Sequence, residues 1–168
     1  MKRTVKLSLG MCLLMTFVVM AAPFFSSPKL VLRFLPKDIY EAGKNHPEPS
    51  LPKRIIGHLL LITVCLYTAW VCKDNSDRIK KERLGFREAF RRLLAFLYIE
   101  KAYDIIVLDQ ILCMSSGYYK RFYPETSECE GWKNRSWNNK AQLTRIILFP
   151  IICAVQAYLL TKDTAKQI

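Results

Sequence analysis

An all-α integral membrane bundle of about four transmembrane helices is the fold class this sequence predicts, and three observations lead to it. Hydrophobic residues make up 51% of the 168-residue chain. They gather into four blocks, 7–25, 55–72, 93–114 and 143–160, instead of following the short periods of a soluble domain. Each block is close to the ~20 residues that cross ~30 Å of hydrocarbon at ~1.5 Å per residue. The polar intervals between them are too short to fold separately, so residues 1–168 read as a single transmembrane domain.

The first block follows a basic head of Lys2, Arg3 and Lys6 and has no charged side chain from Leu7 to Phe25. Val19-Met20-Ala21 would suit a signal peptidase. The apolar run, however, continues through Ala22, Pro23, Phe24 and Phe25, past the ~7–15 residues of a signal-peptide core, so a retained anchor is expected. The second block is bounded by Lys53 and Arg54 on one side and by Lys73 and Asp74 on the other, with His58 inside.

From Asn75 to Met114 there is no proline, and Gly85 is the main weak helix former, so one continuous helix is expected there. Phe86, Ala89, Phe90, Leu93, Leu94 and Leu97 recur at spacings of three and four. They form an amphipathic lead into the third span, with arginine stems reaching back to the phosphates. A second reading keeps 86–101 flat on the surface and leaves three spans or a re-entrant segment.

The third block carries Glu100, Lys101, Asp104 and Asp109. Ionisable groups at bilayer depth are costly and are kept when they pair, bind or conduct. At ~100° per residue Glu100 and Asp104 share a face, Lys101 reaches Asp104 at i,i+3, and Asp109 lies ~180° from Glu100. Depth alone suggests His58 as a neighbour for Asp109 and Gln156 as one for Glu100. These six residues form the expected intramembrane polar site. Interhelical hydrogen bonding is its leading role, ahead of a proton or cation path and of a catalytic site. In the fourth block Pro150 removes an internal hydrogen bond, which predicts a kink.

The chain has 26 Lys and Arg against 14 Asp and Glu, a formal net charge of +12. With the N-terminus in the cytoplasm, thirteen basic residues fall inside and twelve outside, so the totals do not decide orientation. Density does: eight lie between Lys73 and Arg92 in one short connection, which places both termini of a multi-pass cell-membrane protein in the cytoplasm. Arg78, Lys80, Lys81, Arg83, Arg87, Arg91 and Arg92 are the expected contact with anionic lipid headgroups. Nucleic acid is not an expected partner, because no soluble module presents basic and base-stacking groups together.

Enzyme signatures are lacking: His46 and His58 have no metal-protease spacing, and the glycines form no nucleophile elbow or phosphate-cradling loop. Neither a cofactor nor a metal is expected. Cys12, Cys65, Cys72, Cys113, Cys129 and Cys153 include no Cys-x-x-Cys, and Cys113 with Cys129 is the pair placed to form a disulfide in an oxidising compartment. The second outer connection holds Tyr118, Tyr119, Phe122, Tyr123, Trp132 and Trp137, a composition that favours the headgroup zone. Asn134-Arg135-Ser136 matches a glycosylation sequon, which matters only in a eukaryotic secretory pathway.

The run Tyr103-Asp104-Ile105-Ile106-Val107-Leu108-Asp109, then Phe122-Tyr123-Pro124-Glu125-Thr126-Ser127-Glu128, then a last span with Phe149 and Pro150, resembles small uncharacterised bacterial polytopic membrane proteins. The likeness covers Phe86 to Leu160. It implies a bacterial cytoplasmic membrane and four helices, makes Asp104, Asp109 and Pro124-Glu125-Thr126 the residues to test, and implies no activity. The functional expectation is a membrane structural or accessory protein that assembles with itself or with a larger membrane partner. The alternatives are a small cation or proton channel or transporter component using the third-span carboxylates, and a membrane enzyme.

Overall fold

A computed structural model describes residues 2–162, which are built from helices and turns with no strand among the described residues. Three helices are long and apolar enough to cross a membrane: α1 (Lys2–Phe25), α4 (Leu51–Lys81) and α7 (Asn139–Thr161). A fourth rod is composite, with α5 (Phe86–Tyr103) passing directly into a π-helix over Asp104–Ser115. The first connection carries two short helices, α2 (Pro28–Leu32) and α3 (Lys37–Gly43), and the second carries α6 (Tyr118–Phe122). Helix α1 packs on α4 and α5, α5 packs on α7, and α7 touches α4, so the rods close into a bundle.

The continuous helix expected from Asn75 to Met114 is interrupted. Helix α4 ends at Lys81, and Arg83 takes a left-handed backbone at φ 47°. Arg83 N donates to Lys80 O at 3.1 Å and Leu84 N to Ile79 O at 3.1 Å, the paired bonds of a Schellman cap. Leu84 packs on the cluster that holds Ile79, which is the apolar contact such a cap needs. The position usually taken by glycine is here an arginine, so the sequence shows no ordinary stop signal. Gly85 then precedes the first turn of α5. Glu82 ties the turn together, accepting from Arg92 Nη1 at 2.7 Å and Arg78 Nη2 at 3.0 Å. Those two guanidiniums hold its carboxyl below the usual carboxylate range.

Two cores sit at opposite ends of the bundle. Beside the turn, Ile79, Ala89, Leu93, Cys153 and Ala157 pack together. At the other end both connections fold into a cap around Val31, Leu32, Leu35, Ile39, Met114, Tyr119, Tyr123 and Trp132. The aromatic residues expected at the headgroups thus include three, Tyr119, Tyr123 and Trp132, that are core residues of the cap. Trp132 Nε1 donates to Thr126 O at 2.7 Å, and the Gly131 amide donates to Asp38 Oδ2 at 2.6 Å, joining the second connection to the first. Between the cores the bundle exposes apolar side chains: Leu9, Leu13 and Phe17 on α1, Leu59, Ile62 and Leu66 on α4, and Ile147, Ile151 and Val155 on α7.

Two prolines lie within the apolar helices, Pro23 in α1 and Pro150 in α7. Each lacks the N–H that would bond the carbonyl four residues earlier, at Val19 and Ile146. Tyr119 Oη donates to Val19 O at 2.8 Å, and Tyr98 Oη donates to Ile146 O at 3.2 Å. Tyr118 adds a bond to Met20 O at 2.5 Å. Burial raises the Tyr118 and Tyr119 phenols above their ordinary range, so both remain proton donors. An apolar helix tolerates proline when a neighbour re-satisfies the freed carbonyl, and here the neighbour is a tyrosine both times. The hydroxyls of Thr63, Thr68, Thr144 and Thr161 bond carbonyls one turn back in their own helices.

Tyr119→Phe and Tyr98→Phe should each lower unfolding free energy in mixed micelles by about 1–2 kcal/mol, because each leaves a carbonyl without a donor. Tyr98→Phe should cost much less when Pro150→Ala restores the missing N–H, and equal costs in both backgrounds would contradict the pairing. Gly57 lies against α1, where an added Cβ would stand 2.2 Å from Phe25 O, a backbone atom. Gly57→Ala should therefore cost about 1–3 kcal/mol in the same assay.

Candidate functional site

A cleft of about 350 Å³ opens among the four rods, with an apolar lining from Met11, Val64, Phe96, Leu108 and Phe149. Glu100, Lys101, Tyr103 and Asp104 supply its polar edge. Lys101 is 7% exposed and its Nζ stands 2.5 Å from Asp104 Oδ2, the i,i+3 pair that helical spacing predicts. Glu100 faces α1, where Cys12 Sγ lies 3.9 Å from Oε2 as a weak donor, and Oε1 has no protein partner. Thr16 Oγ1 donates to Cys12 O at 2.9 Å, so the 2.6 Å contact with Tyr103 is made by the phenol proton.

Asp109 lies elsewhere, held by Gln142 Nε2 of α7 at 2.8 Å. The π winding bears on its position. In an α-helix Asp104 and Asp109 would be ~140° apart, whereas bonding to the fifth residue back draws residues five apart toward one side. That bonding is visible at the end of the segment, where Ser116 N donates to Ile111 O at 2.8 Å.

The depth pairings expected for His58 and Gln156 are not made. His58 Nδ1 turns back to Arg54 O of its own helix at 2.7 Å, and Gln156 is exposed on α7. Equal depth does not specify which face of a helix a side chain occupies. Among the described residues no three His, Cys, Asp or Glu side chains gather as a metal-binding group. Neither Cys113 nor Cys129 is in a disulfide. Both flank the cap core as free thiols, and Cys129 Sγ lies 3.7 Å from Asp38 O, while burial and the nearby Asp38 and Glu128 carboxylates raise its thiol above the ordinary range.

The basic turn divides into two groups. Arg78 and Arg92 are bound to Glu82, and Arg92 also approaches Glu88 at 3.5 Å, so these two build the turn. Lys80, Lys81, Arg83 and Arg87 are exposed and unpaired among the described residues, and exposed Arg91 stands 3.6 Å from Glu88. Sequence reasoning passed over Gln142, one residue outside the fourth block, and over Cys12, Thr16 and Tyr103. The proline positions mark which carbonyls need a donor, but nothing in the local sequence identifies Tyr98 or Tyr119 as that donor.

The arrangement gives the cleft an ion pair and one carboxylate with a buried, unpartnered oxygen. Lys101→Met should reduce folded yield and cost about 3 kcal/mol in mixed-micelle unfolding, because it strands Asp104. Lys101→Met with Asp104→Leu should recover most of that loss, and a double variant as unstable as the single one would show that the pair is not the cause. Comparison with known protein families, with curated proteins and with solved structures finds no match for this chain in any of the three.

Proposed function

We propose that the chain is a four-span integral membrane protein with both termini cytoplasmic, serving as a structural or accessory subunit that assembles with itself or with a larger membrane partner. Its third span is the composite rod from Leu93 to Met114. One observation carries this reading: the ionisable groups of that rod turn inward to partners in the same chain. Lys101 meets Asp104, Asp109 meets Gln142, and Glu100 meets Cys12. Ala102, Ile106 and Ile111 occupy its outward side. Charges arranged in this way hold helices together where lipid supplies no hydrophobic drive. The partner is then met by the apolar outer faces and the cap. The exposed Lys80, Lys81, Arg83, Arg87 and Arg91 lie at the cytoplasmic headgroups, where each basic residue near an anionic surface contributes about 1 kcal/mol.

A second reading, a cation or proton path, is favoured by one feature, the buried and unpartnered Oε1 of Glu100, a residue that lines the cleft. Crosslinking in native membranes followed by mild-detergent purification tests the two together. The accessory reading expects a stoichiometric partner or a defined homo-oligomer, and no proton or cation flux from the purified chain in liposomes. A monomer without a partner, carrying flux that Glu100→Gln abolishes, would refute it and select the path.

A further inference from the structure

At the cap end, a second cleft of about 620 Å³ lies between α2 and α3. Lys29, Arg33 and Lys37 line it together with the Tyr40 phenol, over an apolar floor of Leu30 and Leu35. No side-chain hydrogen bond or ion pair engages the three cations among the described residues, although four carboxylates stand nearby in the chain and the fold. Each of those carboxylates is taken. Asp38 accepts from the Gly131 amide at 2.6 Å, Glu41 pairs with Lys44, and Glu125 meets His46 Nδ1 at 2.8 Å. Glu48 accepts from Arg54 at 2.8 Å and from Ser27, at the cleft's edge, at 3.0 Å. The result is a concave surface with three cations free of direct ion pairs among the described residues, Lys37 being the one within electrostatic reach of Glu41.

Its depth and lining indicate the occupant. Ser27 follows the last residue of α1, Phe25, by two positions, which sets the cleft at the level where the apolar span ends. Phe34, next to Arg33 in the chain, is 68% exposed, as an acyl-facing side chain would be. A phosphate anion matches the cations and the tyrosine, while half-buried Leu30 matches the glycerol and first methylenes of a lipid better than a free ion. We infer that the α2–α3 cleft is a binding site for the phosphate headgroup of an anionic phospholipid in the outer leaflet. This rests on α1 crossing the bilayer.

The test is calorimetric titration of the purified full chain in neutral detergent with dihexanoyl phosphatidylglycerol, dihexanoyl phosphatidylcholine and inorganic phosphate. The site expects saturable binding of the anionic lipid, with the zwitterionic lipid and phosphate much weaker. Lys29→Gln/Arg33→Gln/Lys37→Gln should weaken it by about tenfold or more with unchanged unfolding, since charge-assisted contacts are lost. Lys29→Arg/Lys37→Arg should retain it, as should Lys80→Gln/Lys81→Gln/Arg83→Gln at the opposite end. Unchanged binding by the first variant, loss in the last, or no saturable binding would overturn the site. Phosphate binding as tight as the lipid's would overturn the lipid source. Release of the chain from membranes by alkaline carbonate would sink the spanning reading independently, because the short-chain lipid reports on the cleft without a bilayer.

Discussion

A polar group inside an apolar bundle has no water to turn to, and the packing of this chain follows from that constraint. Pro23 and Pro150 each strip a carbonyl of its partner, and Tyr119 and Tyr98 replace the missing donors from other elements. Those bonds do more than satisfy atoms. Tyr119 belongs to the cap, so its bond to Val19 fastens the cap to the end of α1, while Tyr98 registers α5 against α7. Tyr67 Oη, like Tyr118, bonds a helix carbonyl that no proline has freed, Leu7 O at 3.2 Å, where α4 crosses α1 close to Gly10.

The same constraint orders the charged residues. Lys101 is accommodated at 7% exposure by its pairing with Asp104, and Asp109 by a donor on α7. Glu100 has one weak thiol donor, and its Oε1 is one of nine buried side-chain polar atoms without a partner among the described residues, Asp74 Oδ2, Asn75 Nδ2 and Gln142 Oε1 being others. At the bundle ends water is available and the logic changes. There Glu82 organises a turn through two arginines, and Lys80, Lys81, Arg83 and Arg87 stay exposed.

The long π-helix has a related effect. Regular α winding would place Asp104 and Asp109 on different faces, ~140° apart. Five-residue bonding brings the two closer around the axis and leaves Ile106 and Ile111 outside. The wider winding is therefore consistent with keeping acids inward on a rod that must also present an apolar surface.

Much of the architecture was readable from the chain itself. The blocks at 7–25, 55–72 and 143–160 lie within α1, α4 and α7, because length and apolar content are local properties that a bilayer-sized helix states directly. The Lys101–Asp104 pair was also legible, since i,i+3 contacts follow from helical geometry alone. Three features were not. The turn at 82–85 uses Arg83 in a left-handed cap, which becomes tolerable only once Leu84 packs on Ile79 and Glu82 binds Arg78 and Arg92. The burial of Tyr119, Tyr123 and Trp132 depends on two connections meeting across more than eighty residues of sequence. The partners of Asp109, Glu100 and the proline-freed carbonyls depend on which faces of separate helices come together. Local spacing fixes the direction of a side chain around its own axis, but only the packed bundle decides what stands opposite.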